Sequence, residues 1–169
     1  MGKNIRLQVT LFVDRKDSGE IEIIRRKFNP LQQQLIDSHV TLCREEEVEN
    51  VDIMLDILQN LDTSAITINF GKVTRFDNDK GVLLPASGDN EQFHQLRGKV
   101  LTKLNKTVRR HEPHITLMHP RNSTCTDNVF EKIQSVNLPT CLEFNTLSVI
   151  EQSDGGLWQT IKSFNLKSA

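Results

Sequence analysis

Two short segments of the chain repeat one order of side chains, Ser38-His39-Val40-Thr41-Leu42 and Pro113-His114-Ile115-Thr116-Leu117. In an extended strand, successive side chains point to opposite faces, so each segment places its histidine and threonine together, with the apolar residues behind them. Imidazole serves as acid or base near neutral pH, and a hydroxyl donates hydrogen bonds to anionic oxygens. If both strands face one cleft, they present two imidazoles and two hydroxyls to a single substrate.

Chance does not account well for this repetition. From the residue composition, a His-x-Thr-Leu string is expected about 0.04 times in a chain of this length. One copy alone is equally compatible with a half-buried strand that carries a structural histidine. Two copies favour a shared functional role.

A metal site is the first alternative for these histidines, since His111, Glu112, His114 and His119 lie close together in the sequence. Their spacing is not that of an HExxH helix, and Pro113 interrupts any helix that would bring them onto one face. In a strand, positions 114 and 119 point to opposite sides. We therefore expect neither a metal nor another cofactor.

The overall composition restricts the class of protein. The 169 residues suit a single two-lobed domain over residues 1–169, and the net charge of −1 argues against bulk binding of long nucleic acid. No signal peptide and no membrane-spanning segment are predicted. The three cysteines form no CxxC pair, which is typical of a reduced, cytoplasmic protein, and we expect a monomer.

Hydrophobic periodicity predicts alternating strands and helices. The predicted strands are 5–14, the two His-x-Thr segments, 66–70, 82–84, 142–151 and 157–166, the last two forming a hairpin around Gly155-Gly156. The predicted helices are 19–28, 31–36 (or a turn), 48–61, a segment beginning after Asp89-Asn90, and 124–136. A strand over 21–23 is an alternative to the first helix, and Glu45-Glu46-Glu47 is expected to be a solvated first helical turn.

The two histidine motifs lie 75 residues apart, and a helix is predicted after each one. This arrangement is what an internal duplication of a small α+β unit would produce. Outside the motifs the sequence repeat is faint, so duplication is a hypothesis.

The doubled motif, with the opening strand IRLQVTLFVD and the closing segment EQSDGGLWQTIKSFNL, resembles the two-histidine (2H) phosphoesterase superfamily. That superfamily includes bacterial 2′-5′ RNA ligase-like proteins and 2′,3′-cyclic phosphodiesterases. The resemblance implies an α+β fold with two lobes, in which duplicated antiparallel sheets and flanking helices surround a central cleft. It also implies His39 and His114 as catalytic residues, Thr41 and Thr116 as phosphate-binding residues, and chemistry without a metal.

The expected function is hydrolysis of 2′,3′-cyclic phosphate or 2′-5′ linkages in RNA or nucleotides, reversible as 2′-5′ RNA ligation. The expected partners are RNA termini or a small nucleotide. The alternative is a non-catalytic module that binds nucleotides or RNA on the same scaffold. The segment Met118-His119-Pro120-Arg121 departs from ligase-type relatives, which places the ligase-type substrate contacts in question.

Several other residues are weaker candidates. His119 and Arg121 could meet phosphate at the mouth of the cleft, and Arg75 with Phe76 could contact phosphate and a base, although Phe76 is expected to pack inward. The residues expected to be structural or solvent-exposed are His94, Trp158, Arg25, Arg26, Arg109 and Arg110.

Overall fold

The computed structural model describes residues 2–169 and contains five α-helices and nine strands. The strands are β1 (Ile5–Phe12), β2 (His39–Cys43), β3 (Ile66–Asn69), β4 (Thr74–Arg75), β5 (Val82–Pro85), β6 (His114–Met118), β7 (Cys141–Phe144), β8 (Thr146–Ser153) and β9 (Trp158–Asn165). The helices are α1 (Gly19–Phe28), α2 (Pro30–Leu35), α3 (Val51–Gln59), α4 (Glu91–Lys103) and α5 (Asp127–Gln134). The α+β class predicted from the sequence is confirmed.

Seven strands form one antiparallel sheet in the order β4-β5-β6-β2-β1-β8-β9, and β3 pairs with β7 in a second, small sheet. The two histidine strands are neighbours at the centre of the large sheet, where Val40 of β2 pairs with Ile115 of β6. Both of these residues are fully buried, as are Leu42 and Leu117 to within 1%. The alternation predicted for both motifs is thus present, with the apolar side chains in the core.

The order of elements repeats along the chain. The unit β1-α1-β2-α3-β3 is followed by β5-α4-β6-α5-β7, and the register within each unit is equivalent. Phe12 pairs with His39 across β1 and β2, and Pro85 pairs with His114 across β5 and β6. This topology agrees with the duplication hypothesis. Helix α2, strand β4 and the β8-β9 hairpin have no counterpart in this repeat.

The structure corrects the prediction that residues 142–151 form one strand. The chain instead divides at Asn145 into β7, which pairs with β3, and β8, which pairs with β1 and β9. The apolar residues are Leu142 and Phe144 in β7 but Leu147 and Val149 in β8, so the phase of the alternation changes at Asn145, where the chain passes from one sheet to the other. The hairpin between β8 and β9 is present as predicted, with Asp154 and Gly155 both at positive φ.

The acidic triplet is also placed differently from the prediction. Residues Glu45–Glu47 form a separate 3₁₀ turn, and helix α3 begins only at Val51, capped by the Asn50 side chain. Glu47 is 7% exposed and forms an ion pair with the buried Arg97 of α4, at 2.5 Å. A charged partner from a distant helix allows this carboxylate to be buried, which is why local sequence did not show it.

Residues 19–28 form helix α1, so the alternative strand over 21–23 is not found. Arg25, expected to be solvent-exposed, is 2% exposed and donates hydrogen bonds to Glu22 and to the carbonyl oxygen of Ile36. Its position follows from helical spacing, because Arg25 lies on the same face as the buried Ile21 and Ile24. In the described part of the chain, no helix has both the length and the hydropathy needed to cross a membrane.

Candidate active site

A cleft of about 620 Å³ lies over the junction of β2 and β6. All four residues singled out by the sequence line it: His39 and Thr41 from β2, His114 and Thr116 from β6. They reach the same cleft because both strands turn their polar faces to the same side of one sheet. The structure therefore brings together two motifs that are 75 residues apart in the chain.

His39 and His114 are held in equivalent ways. The Nδ1 atom of His39 donates to the carbonyl oxygen of Asp37 at 2.7 Å, and Nδ1 of His114 donates to the carbonyl oxygen of Glu112 at 3.2 Å. A carbonyl oxygen can only accept, so Nδ1 carries a proton in both rings. In the neutral state each Nε2 is therefore an unprotonated base, and in the charged state it is an acid.

An aromatic ring flanks each of these histidines. Phe12 packs edge-on against His39 with ring centroids 6.0 Å apart, and Phe76 packs edge-on against His114 at 5.9 Å. Phe76 is half-buried, packs against a cleft residue and does not itself line the cleft. These contacts and the Nδ1 hydrogen bonds fix the orientation of both imidazoles.

Both imidazoles are held in the neutral form. Burial lowers the pKa of His39 to about 4, and the positive charges of Arg25 and of a protonated His114 act in the same direction. Burial also lowers the pKa of His114 from its ordinary value of 6.5, assisted by the positive charge of Arg44. The backbone hydrogen bonds at Nδ1 oppose these shifts, because they favour the charged ring.

Thr41 and Thr116 lie beside the two imidazoles, and both are half-buried in the cleft. Within residues 2–169, neither hydroxyl is engaged in a hydrogen bond to another protein group. Hydroxyl groups in this position can donate to oxygens of a bound anion.

His111 is a cleft residue whose role the sequence did not reveal. Its Nε2 donates to the carbonyl oxygen of Thr41 at 3.1 Å, and its Nδ1 accepts from Nε and Nη2 of Arg44 at 3.2 and 2.7 Å. The ring is 6% exposed and lies 5.9 Å from the ring of His114. Burial and the adjacent Arg44 guanidinium lower the pKa of His111 to about 4. A neutral imidazole thus holds Arg44 at the cleft.

Arg6, Arg25, Arg44 and Arg121 line the cleft together with two carboxylates, Glu45 and Glu46, so positive side chains outnumber negative ones. Arg6 donates to Glu45 and Gln152, and its guanidinium carbon lies 5.2 Å from the ring centroid of Trp158. The position of Arg6 could have been predicted from the alternation along β1. Arg6 lies on the same face of the strand as Phe12, which pairs with His39.

Trp158 was expected to belong to the core, but it is half-buried and lines the cleft. It lies at the start of β9, the edge strand of the large sheet. His119 and Arg121 also line the cleft, whereas Arg75 pairs with Asp127 at 2.6 Å and packs over Phe130 outside it. His94 and the basic pair Arg109 and Arg110 are not cleft residues.

No three His, Cys, Asp or Glu side chains among residues 2–169 are grouped so that they could hold a metal ion. In the alternative metal cluster suggested by the sequence, hydrogen bonds already engage ring nitrogens of two of the histidines. Both ring nitrogens of His111 are engaged, one of them facing a guanidinium, and His114 donates from Nδ1 to a backbone carbonyl. The expectation that positions 114 and 119 face opposite sides was wrong, because the strand ends at Met118 and the chain turns before His119 reaches the cleft.

Comparison with known proteins gives the same fold. The family model described as the 2′-5′ RNA ligase superfamily matches residues 13–156. E. coli LigT complexed with phosphate superimposes with a TM-score of 0.66 at 15% identity, covering 99% of this chain and 100% of LigT. LigT complexed with 3′-AMP gives 0.67 at 14% identity with the same coverage, and TT0787 of Thermus thermophilus gives 0.57 at 14% identity, covering 96% and 98%. No curated protein matches significantly in sequence.

Proposed function

We propose that this chain, which belongs to the 2′-5′ RNA ligase superfamily of 2H phosphoesterases, is a phosphodiesterase with paired catalytic histidines. It hydrolyses 2′,3′-cyclic phosphate or 2′-5′ linkages of RNA or nucleotides, and the reverse reaction joins RNA ends through a 2′-5′ bond. One observation carries this proposal: two equivalent imidazoles, each with Nδ1 bound to a carbonyl, line a single cleft.

The reaction needs one proton removed from the attacking oxygen and one given to the departing ribose oxygen. Attack and departure occur on opposite sides of phosphorus, so the two proton-transfer groups must come from two positions. We assign these two positions to His39 and His114, which come from adjacent strands, line one cleft and have the same tautomer. A neutral ring acts as base through Nε2 and a protonated ring acts as acid through the same atom.

The threonines and arginines would stabilise the charge that develops on the phosphorus oxygens. Thr41 and Thr116 donate to the non-bridging oxygens, and Arg44, fixed by His111, supplies positive charge. Before substrate binds, burial is the main cause that lowers the pKa of both imidazoles, and the positive charges of Arg25 and Arg44 add to it. A bound phosphodiester anion offsets these charges and raises the pKa of the imidazole beside it, so the acid gains its proton in the complex.

RNA termini or small nucleotides are the proposed partners. E. coli LigT has been crystallised with phosphate and with 3′-AMP, and the cleft of this chain is lined by the arginines that an anionic ligand requires. We further propose that the protein works as a monomer in the cytoplasm, without a metal or another cofactor. Cys43 and Cys125 are buried free thiols and Cys141 is an exposed one, which suits a reducing compartment.

The test is a product screen over 2′,3′-cyclic nucleotides, RNA with cyclic ends and 2′-5′ dinucleotides, run with and without EDTA. We expect turnover that EDTA leaves unchanged. His39→Ala and His114→Ala should each reduce turnover at least about 10²- to 10⁴-fold, the usual range for a positioned acid or base. Full activity in either variant would refute the mechanism. Binding of 3′-AMP without turnover of any substrate would favour the alternative, a non-catalytic nucleotide-binding module.

A further inference from the structure

Two arginine side chains are buried at equivalent positions of the internal repeat. Arg25 is the seventh residue of α1 and Arg97 is the seventh residue of α4, and each is 2% exposed. Helices α1 and α4 are counterparts, since each precedes one of the two histidine strands. Because arginine is rarely buried unless its charge is paired, we expect a reason that applies to both units.

Arg25 and Glu22 together bind the chain that leads into β2. The Nη1 atom of Arg25 donates to the two carboxylate oxygens of Glu22 at 2.9 and 3.1 Å, and Nη2 donates to the carbonyl oxygen of Ile36 at 2.7 Å. Glu22 also accepts from the backbone N–H of Ser38 at 2.7 Å. The ion pair is thus bonded to the backbone at two nearby points.

These two points flank the group that orients His39. Asp37 is the one residue between Ile36 and Ser38, and its carbonyl oxygen accepts from Nδ1 of His39 at 2.7 Å. Hydrogen bonds on both sides restrict the backbone that carries this carbonyl. Arg25 therefore fixes, through the backbone, the direction in which Nε2 of His39 points.

Arg97 joins three segments of the chain. Its Nη1 atom donates to the carbonyl oxygen of Leu42 at 2.6 Å, and its two Nη atoms donate to the carboxylate of Glu47 at 2.8 and 2.5 Å. Nη2 also donates to the carbonyl oxygen of Arg109 at 3.1 Å. Glu47 in turn accepts from the backbone N–H of Arg44 at 2.8 Å. One guanidinium thus connects the end of β2, the turn after it and the loop before β6.

These segments carry the contact between Arg44 and His111. Arg44 directly follows β2, and His111 lies two residues beyond Arg109. The Arg44 guanidinium donates to His111 at 3.2 and 2.7 Å, and His111 donates to the carbonyl oxygen of Thr41. Arg97 therefore anchors both stretches of chain that bring Arg44 to the cleft.

Stability alone does not explain the two buried pairs. A buried ion pair gains Coulomb energy but loses the hydration of both charges, and apolar replacement of a whole pair is often neutral or stabilising. A guanidinium, in contrast, binds several oxygen atoms in fixed directions. Arg97 uses this property on three acceptor groups and Arg25 on two.

The two arginines also act on different imidazoles through their charge. Burial is the main cause that lowers the pKa of His39 and of His111, and the positive charge of Arg25 adds to it at His39 and that of Arg97 at His111. The other charged or titratable side chains that act on these rings are Glu22 and His114 at His39, and Arg44 and His114 at His111.

We propose that Arg25 and Arg97 are equivalent positioning residues, of which Arg25 sets the direction of His39 and Arg97 sets the contact between Arg44 and His111. For its effect on turnover, this inference rests on the proposed function. Each arginine acts with its glutamate through the backbone, as one anchor in each unit of the repeat.

NMR titration of the imidazoles tests the proposal without requiring turnover. Arg25→Met should raise the pKa of His39 and leave that of His111 unchanged, and Arg97→Met should do the reverse. Each variant thus serves as a control for the other. Arg26→Met and Lys99→Met, which replace exposed cations of the same two helices, should change neither pKa.

Proton exchange reports on position separately from charge. The proton on Nδ1 of His39 should exchange faster with solvent in Arg25→Met, and the proton on Nε2 of His111 in Arg97→Met, because each loses the anchor of its carbonyl partner. Arg25→Lys and Arg97→Lys keep the charge but cannot make the same set of hydrogen bonds. They should leave the pKa values near those of the wild-type protein and still show the faster exchange.

A single substitution by methionine leaves a glutamate without its partner, so each pair is also removed as a unit. Arg25→Met with Glu22→Gln, and Arg97→Met with Glu47→Gln, leave no unpaired charge, and circular dichroism should show that both proteins fold. Each should still lower kcat/KM about 10- to 150-fold, the range for hydrogen bonds to a charged group.

Wild-type kcat/KM with unchanged proton exchange in these two proteins would overturn the proposal and leave both pairs a structural role only. Equal changes at His39 and His111 in every variant would also overturn it, because they indicate general loosening of the fold. If the wild-type protein hydrolyses nothing, the proposed catalysis fails and the NMR measurements still decide the positioning. If the wild-type protein and both pair variants are equally active, the positioning fails and the catalysis stands.

Discussion

Arg44 and His111 are joined by two hydrogen bonds, in which the Nε and Nη2 atoms of the guanidinium donate to one imidazole nitrogen at 3.2 and 2.7 Å. The other nitrogen of the same ring donates to the Thr41 carbonyl oxygen, on the strand that ends just before Arg44. His111, in the loop before β6, therefore holds the side chain of Arg44, which directly follows β2. Protonation of His111 would place an N–H group against a guanidinium, so this contact requires a neutral ring.

If His111 acts by positioning Arg44, the two residues should act as one unit. We expect His111→Ala and Arg44→Ala each to lower kcat/KM about 10- to 150-fold, the range for one hydrogen bond to a charged group. The double variant should lose little more than either single variant, because the second substitution removes a contact already lost. His111→Asn, which keeps a hydrogen-bond acceptor near the position of Nδ1, should retain more activity than His111→Ala.

Steady-state kinetics of the four proteins of this cycle provide the measurement, with circular dichroism as the control for folding. Strictly additive losses would show that His111 and Arg44 act separately.

The two threonines are expected to contribute through their hydroxyl groups and not through their shape. Thr41→Val and Thr116→Val keep the volume and the β-branch but remove the donor, and each should lower kcat about 10²- to 10³-fold, as loss of one oxyanion contact does. Thr41→Ser and Thr116→Ser keep the donor and serve as matched controls. A higher KM with unchanged kcat in the valine variants would instead indicate a role in ground-state binding.

The pH profile of kcat/KM, which reports on the free protein, should differ from that of kcat, which reports on the complex with substrate. The free protein has a His39 pKa of about 4 and a His114 pKa below 6.5. The form with one proton on the pair is most abundant between these values, so kcat/KM should be bell-shaped with its maximum below pH 6.5. Bound phosphate raises the pKa of the adjacent ring, so the basic limb of kcat should lie at higher pH.

Initial rates at several substrate concentrations from about pH 4 to 9 give both profiles, a range that spans the ordinary pKa of histidine. A kcat/KM maximum at about pH 8, or identical limbs for kcat and kcat/KM, would contradict this expectation.

Stability should also depend on pH through His111. Its pKa is about 4 in the folded protein and about 6.5 in an unfolded chain, so the unfolded chain binds more protons between these values. The free energy of unfolding should therefore fall as the pH falls from 6.5 to 4, by about 3 kcal/mol from this residue, and should not be affected by it above pH 6.5. His39 acts in the same direction.

Urea unfolding followed by circular dichroism at about pH 7 and about pH 4.5 measures the difference. His111→Asn should show a smaller difference between the two pH values than the wild-type protein, whatever its absolute stability. An equal difference in both proteins would place the pH dependence elsewhere in the chain.

Local periodicity was informative wherever one face of an element is buried. The strands carrying His39 and His114, helix α3 and the β8-β9 hairpin were predicted at nearly their observed places, because alternation or helical spacing of apolar residues is a property of the segment itself. The prediction of a single strand was wrong at Asn145, where the phase of the alternation changes between two consecutive segments that enter different sheets.

The sequence by itself determined that each His-x-Thr pair shares one face of a strand with the apolar residues behind it, since that alternation is local. It also indicated the family. The helical spacing of Arg25 from Ile21 and Ile24 was enough to predict that Arg25 lies on the buried face of its helix. Only the tertiary structure decided that β2 and β6 are neighbours, that Arg44 is held by His111, and that Trp158 lies in a cleft wall. Each of these depends on contacts between residues far apart in the chain, and local pattern does not encode such contacts.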